Sequence, residues 1–488
     1  MKSIFFKSSF LGVVAIFFLS NSSFAQALFF ERIYDETLSQ ASYVIGDTET
    51  KEVIVIDPKR DIDTYLEIAQ TNNLKITKIT ETHIHADFLS GSRELAAVTK
   101  APLYLSDEGG KDWQYDFPHT GLKNGDKISV GSITIEVIHT PGHTPESLTF
   151  LVKDGTKNPI KAITGDFIFV GDVGRPDLLE KAAGQIGSQE VGAKQLYYSI
   201  EKILKLPDNT EIWPGHGAGS FCGKSLSNIP QSTLQQEKLT NPALQFSGKE
   251  TDFVNYILND QPAPPKYFAM MKHLNRVDRP LLVAVPKLSK LNQKEIENAI
   301  QNGLLVIDTR PKAVSGKGFI PGSLLIENMK TFSTFVGSVV DYQNQIVLVA
   351  DENQIEDLTR KLMRIGMDNI YGYITNPSEQ NLALQNVKTI DIETFKSYLG
   401  NKKIQKIDVR TESEYKSGHI KGVENIVLNT LENNFDKINK KEPVIIHCQS
   451  GTRAAIAYSI LAKNGFENIL NYSGGINEWK DKNNELVK

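Results

Sequence analysis

The chain has 488 residues, 40% hydrophobic and 23% charged, which is enough for about three or four domains of ordinary globular composition. Two cysteines exclude a disulfide framework and Cys-rich zinc modules, and a formal net charge of −4 excludes the basic face of a nucleic-acid binder.

At the N-terminus, Lys2 and Lys7 flank an apolar run, Phe10–Leu19, and Ser23-Phe24-Ala25 places small residues where a signal peptidase cuts. The pattern predicts a secretory signal over residues 1–25, cleaved after Ala25, and a periplasmic or secreted protein. The apolar run is shorter than the ~20 residues that span a bilayer, and no later segment is apolar for long enough, so no membrane span is expected.

Residues 26–240 alternate short apolar strands with polar turns, as at Glu52–Ile56, Ile133–His139 and Leu148–Val152. They are expected to form one domain. Residues 241–280 read as a connector, with a helix near Asp252–Leu258 and then the breaker string Gln261-Pro262-Ala263-Pro264-Pro265. Residues 281–488 hold an internal repeat. Ile307-Asp308-Thr309-Arg310 recurs 100 positions later as Ile407-Asp408-Val409-Arg410, and Ile320-Pro321-Gly322 as Ile420-Lys421-Gly422. Each copy continues into an apolar strand, Ile346–Ala350 or Val444–His447, and then a helical pattern. Two α/β domains with parallel sheets are expected, at 281–385 and 386–488.

Six of the nine histidines fall between residues 83 and 216. Thr82-His83-Ile84-His85-Ala86-Asp87, Thr140-Pro141-Gly142-His143-Thr144, Thr164-Gly165-Asp166 and Trp213-Pro214-Gly215-His216-Gly217 each follow a strand, the last three beside Gly or Pro, where a loop can aim a side chain at a shared point. Imidazole and carboxylate together suit iron(II) or zinc, and no thiolate is required.

These four segments, taken together over residues 30–225, resemble the metallo-β-lactamase superfamily. The resemblance implies an αββα sandwich with a metal site at one edge. Two-metal hydrolases of that superfamily carry H-x-H-x-D-H at the first segment. Here Phe88 stands in place of the final histidine, so one metal per chain is expected. The one-metal branch it looks like is the persulfide dioxygenases, which bind iron(II) with two histidines and one aspartate. By position those are His83, His143 and Asp166. His85, Asp87 and His216 would then hydrogen-bond the ligands or bound water, with direct ligation left open. Arg175, in Gly171-Asp172-Val173-Gly174-Arg175-Pro176-Asp177, would bind substrate or brace its loop. Cys222 lies in a loop resembling that of persulfide dioxygenase–rhodanese fusions, where the cysteine can carry sulfur, and is a candidate persulfide carrier.

In the last domain, Cys448-Gln449-Ser450-Gly451-Thr452-Arg453 lies between the strand Val444–His447 and a helix predicted from Ala454. Backbone N–H groups at a helix N-terminus, together with Arg453, would favour a nucleophilic Cys448 thiolate. Gln449, Ser450, Gly451 and Thr452 would form the anion cradle. The string resembles the active loop of rhodanese sulfurtransferases. The matching stretch of the middle domain, Val349-Ala350-Asp351-Glu352-Asn353-Gln354, has no Cys, Gly or Arg. The middle domain is therefore expected to be an inactive copy, serving as a spacer, a homo-oligomerisation module or a dock for the third domain.

The implied activity is oxidation of a low-molecular-weight persulfide, such as glutathione persulfide, by O2 to sulfite. It is coupled to rhodanese transfer between sulfite and thiosulfate. The alternatives are a glyoxalase II-like thioester hydrolase with an attached sulfurtransferase, and a non-catalytic sulfur carrier or sensor.

Overall fold

The computed structural model describes residues 28–155, 160–183, 187–259, 261 and 263–488, and the predicted signal segment lies outside them. Among the described residues no helix is long and apolar enough to cross a membrane.

Strands β1 (Leu28–Asp35), β2 (Gln40–Asp47), β3 (Glu52–Ile56), β4 (Lys75–Thr80), β5 (Leu103–Ser106) and β6 (Thr120–Leu122) form one sheet in chain order. A second sheet is built from β7 (Lys127–Val130), β8 (Ile133–His139), β9 (Leu148–Lys153) and β10 (Lys161–Gly165). The short pair β11 (Ile168–Phe169) and β12 (Asp172–Val173) stands apart, and β13 (Glu211–Pro214) and β14 (Ser232–Thr233) complete the second sheet in the order β14-β13-β10-β9-β8-β7.

The two-residue period of a strand sorts the side chains. Tyr43, Ile45, Ile54 and Ile56 meet Phe150, Val152 and Ile163 in the layer between the sheets. Their neighbours Val44, Val53 and Val55 pack outward with Tyr65 and Leu95 of the helices Asp63–Thr71 and Ser92–Thr99. On the far side Leu151, Ala162 and Ile212 pack with the helices Ser188–Ile203 and Glu250–Leu258. The result is the expected αββα sandwich, and Glu250–Leu258, from the segment read as a connector, supplies one of its outer helices.

The internal repeat appears as two sheets of one topology. In the middle unit β15 (Leu305–Asp308), β16 (Leu324–Leu325), β17 (Ile346–Val349) and β18 (Ile370–Ile374) are all parallel, in the order β16-β15-β17-β18. The last unit has β19 (Thr389–Ile390), β20 (Gln405–Asp408), β21 (Glu424–Asn425), β22 (Val444–His447) and β23 (Ile469–Tyr472), all parallel, in the order β21-β20-β22-β23-β19. In the middle unit the place of β19 is taken by a single parallel bridge from Lys290 to Tyr373.

The segment read as a connector is packed. Phe253 and Ile257 join the sandwich core, and the helix Phe268–Arg276 lies against the His85–Ser90 segment. The middle unit docks on the sandwich through buried charge. Arg364 pairs with Asp61 and Asp35, and Arg60 reaches Asp368 and the carbonyl of Met363. One hydrophobic cluster runs through the interface, containing Phe88, Leu89 and Cys222 of the sandwich, Leu362 and Ile365 of the middle unit, and Cys448 of the last.

Candidate metal centre and thiol loop

The four histidine and aspartate segments leave the ends of β4, β8, β10 and β13 at one edge of the sandwich. Gly165 makes the approach of two of them possible. Its φ is +51°, and a Cβ there would stand 2.4 Å from Thr82 Oγ1. Asp166 therefore arrives beside His83.

The ligating atoms of His83, His143 and Asp166 lie within 4.8 Å of one another, all buried. Asp166 Oδ2 is 3.8 Å from His83 Nε2 and 3.5 Å from His143 Nε2. The second nitrogen of each ring has a partner that sets its proton. His143 Nδ1 donates to the Arg175 carbonyl at 2.9 Å, so its Nε2 carries a lone pair. Thr82 Oγ1 gives its proton to Asp57 and accepts from His83 Nδ1 at 3.0 Å, so the His83 Nε2 is also bare. Burial holds both imidazoles below their ordinary pKa, hence neutral. Burial opposes charge on Asp166, but the attraction and hydrogen bond of His216 prevail and hold its carboxyl well below the ordinary range. His83 Nε2 and Asp166 Oδ2 are buried without a hydrogen-bond partner, while Asp166 Oδ1 faces His216. Two lone pairs and a carboxylate facing one point without a proton donor fit a metal cation, and these three residues would hold it.

A second buried group lies across Asp166. Asp87, His216 and Cys222 also place their ligating atoms within 4.8 Å of one another. His216 Nε2 is 3.2 Å from Asp87 Oδ2 and 3.3 Å from Asp166 Oδ1, and its Nδ1 donates to the Ser39 carbonyl. Burial opposes charge on His216, but the two carboxylates prevail and raise its pKa well above the ordinary value. Burial pushes the Cys222 thiol up. Cys222 thus brings a donor to the side of the site where Phe88 offers none.

His85 is held differently. Its Nε2 donates to Asp57 Oδ1 at 3.1 Å, and its pKa rises to about 9 because Asp57 outweighs burial. The ring lies tilted against its neighbours, with centroids 4.2 Å from His83 and 4.4 Å from Phe88. Arg175 lies inside the fold. It is fully buried, bidentate to Asp177 at 2.7 Å on both bonds, and donates to the Phe221 carbonyl. These bonds, with His143 on its carbonyl and its own N–H on the Cys222 carbonyl, tie Arg175 to the loops of His143 and Cys222.

Several residues at the site carry no signal in the sequence. Asp57 binds Thr82 and His85, and Glu146 accepts from Ile84 N–H and Thr144 Oγ1, with burial raising its pKa to about 7. Asn275 accepts from Ser90 N–H and donates to the carbonyls of His85 and Phe88. The backbone of Asp57 has φ +53°, a left-handed turn that Asp tolerates better than most residues.

The Cys448 loop follows β22. Gly451 has φ +91°, and a Cβ there would meet the Ser473 carbonyl at 2.5 Å. Its N–H donates to Cys448 Sγ at 3.1 Å. The following helix starts at Thr452, two residues before the predicted Ala454, so Thr452 and Arg453 form its first turn. Arg453 is bidentate to Glu414 at 2.6 and 2.7 Å. That pairing overcomes burial and lowers the Glu414 carboxyl to about 2. Gln449 donates to Asn477, and Ser450 is exposed at the mouth. Both cysteines are free and buried. In the middle unit the same stretch passes from Asp351 into a short 3₁₀ helix, Glu352–Gln354, with no cradle.

Residues 36–216 match the metallo-beta-lactamase superfamily, and residues 391–482 match the rhodanese-like domain. The mitochondrial persulfide dioxygenase ETHE1 of Bos taurus is 30% identical over 218 residues, covering 43% of this chain and 73% of that protein. Its Mus musculus counterpart is 32% identical over 216 residues, with the same two shares. A crystal structure of a metallo-beta-lactamase from Staphylococcus aureus superposes with a TM-score of 0.67 at 43% identity, covering 72% of this chain and all of that one. The chain belongs to the persulfide dioxygenase family of the metallo-β-lactamase superfamily, with a C-terminal rhodanese-like domain fused to the metal-binding domain.

Proposed function

We propose that the chain is an exported enzyme that oxidises a low-molecular-weight persulfide to sulfite and couples this to sulfur transfer. The signal (1–25) directs export, the sandwich (26–240) oxidises, residues 241–280 join the units, 281–385 are a thiol-free rhodanese copy, and 386–488 transfer sulfur. The supporting observation is the convergence of bare His83 and His143 nitrogens on the Asp166 carboxylate, in a chain whose relatives are named persulfide dioxygenases.

Bound at those residues, iron(II), one per chain, supplies the redox centre at which persulfide and oxygen react. The balance is RSSH + O2 + H2O → RSH + SO3²⁻ + 2 H⁺. The chain's own residues prepare the site. Asp57 and Thr82 orient the His83–His85 segment, His216 holds a proton beside Asp87 and fixes the Asp166 carboxylate, and Phe88 closes the wall at His85 against water. In the last unit Cys448 carries sulfane sulfur, and sulfite attacks it: Cys–S–S⁻ + SO3²⁻ → Cys–S⁻ + S2O3²⁻. Gly451 N–H faces the sulfur throughout.

The test is oxygen uptake by anaerobically purified, iron-loaded protein given glutathione persulfide, with metal counted per chain. Uptake with sulfite or thiosulfate formed at one iron per chain is expected. The Asp87–His216–Cys222 group favours one other reading, a two-metal thioester hydrolase of the glyoxalase II type. Thioester cleavage at two metals per chain, without oxygen uptake, would establish it instead.

A further inference from the structure

The carbonyl of Ser450 and the N–H of Gly451 are opposite ends of one planar peptide. The N–H end donates to Cys448 Sγ at 3.1 Å. The carbonyl end accepts from Lys312 Nζ at 2.7 Å. Lys312 belongs to the middle unit, 138 residues earlier, and opens its short helix Lys312–Ser315. Among the described residues its ammonium makes no ion pair.

The neighbouring carbonyls of the loop are held from within the last unit. Cys448 O accepts from Ile476 N, Gln449 O from Asn477 N, and Gly451 O from Ala455 N. Among the described residues, only the peptide that faces the sulfur is gripped from outside the last unit. The 100-residue repeat makes the arrangement nearly symmetric. Lys312 occupies the place of Glu412, which opens the equivalent helix Glu412–Ser417, and Glu414 of that helix holds Arg453. Two equivalent helices therefore flank the loop, one offering a carboxylate to Arg453 and the other an ammonium to Ser450.

We propose that the thiol-free middle unit completes the sulfur-transfer site, with Lys312 as a positioning residue that orients and polarises the Ser450–Gly451 peptide toward the Cys448 sulfur. The proposal rests on the reading of Cys448 as the transferring thiol. A cation on the carbonyl fixes the peptide plane and strengthens the N–H at its other end. The same ammonium stands at the mouth through which a dianionic donor such as thiosulfate enters. The step it serves is Cys–S⁻ + S2O3²⁻ → Cys–S–S⁻ + SO3²⁻. The thiolate bonds to the outer sulfur, the S–S bond to the sulfonate breaks, and sulfite leaves with the electron pair.

The experiment uses full-length Lys312→Met, Lys312→Arg and Cys448→Ser, with thiosulfate as donor and cyanide as acceptor. Sulfite release in a single turnover at saturating thiosulfate should fall roughly tenfold in Lys312→Met, the loss expected of a hydrogen bond to a charged group. Lys312→Arg, which still donates, should recover most of it. Melting temperature and oxygen uptake at the first unit should stay at the wild-type values. Wild-type sulfite release in Lys312→Met would overturn the proposal. So would an equal loss in Met and Arg accompanied by a lower melting temperature, because Lys312 would then only join two units. Transfer surviving in Cys448→Ser would instead overturn the assignment of the thiol, whatever Lys312 does.

Discussion

Thr82 Oγ1 spends its proton on Asp57, and from that follow the His83 tautomer and the bare Nε2 turned toward Asp166. Replacing Asp57 with Ala should cost about 10–100-fold in metal affinity, measured by competition with a chromogenic chelator, because the two-residue relay would lose its acceptor. His83→Ala should abolish oxygen uptake and leave thiosulfate–cyanide transfer intact, while Cys448→Ser should do the reverse. If both variants lose both activities, the assignment of two separate sites fails. Glu414 gives a pH-dependent outcome. Its carboxyl drops from an ordinary 4.5 to about 2 in the fold, as Arg453 outweighs burial. A lowered pKa stabilises the fold above the unfolded value, so the contribution is complete above about pH 4.5 and is lost as pH falls toward 2. The melting-temperature gap between wild type and Glu414→Gln should therefore be full at pH 7 and shrink across that acid range.

The helix Phe268–Arg276 shows what an element does for a site to which it contributes no ligand. Asn275 closes three hydrogen bonds with Ser90, His85 and Phe88, and Tyr267 donates to the Asp87 carbonyl. Asn275→Leu would strand these buried backbone groups, costing about 3 kcal/mol. Urea unfolding should show that loss together with weaker metal binding. The His83, His143, Asp166 and His216 segments were readable because each joins a strand end to side chains of known chemistry, the last three beside Gly or Pro. Asn275 was not, because its bonds span 185 to 190 residues and an asparagine in a helix carries no pattern. Cys222 was noticed as a thiol near the metal, but its grouping with Asp87 and His216 exists only in three dimensions.

Across the whole molecule the repeat was the most readable feature. Strands that recur at a fixed shift must build the same sheet, and both sheets run in one strand order. The packing between units was hidden, since it rests on charges that a sequence suggests are solvated. Arg364 is the plainest case, joined to Asp61 and Asp35 with both carboxylates almost wholly buried. Arg364→Met would leave Asp35 and Asp61 buried with less compensation, and should weaken docking of the middle unit by about 3 kcal/mol. Calorimetry should then resolve separate transitions for the sandwich and the repeat. Lys312 lay beyond reach for the same reason, because a lone lysine in the unit without a thiol has no recognisable partner until the two units face each other.

The clamp by Asn275 also bears on when the metal enters. The histidine segment emerges from the ribosome about 190 residues before the side chain that holds its carbonyls. At ordinary synthesis rates that interval is about 10–40 s. A nascent chain halted after the sandwich would carry every ligand on a segment still waiting for its brace, and should release metal faster than the finished protein. Stable loading of the centre thus waits until Asn275 is in place, on whichever side of the membrane the chain folds.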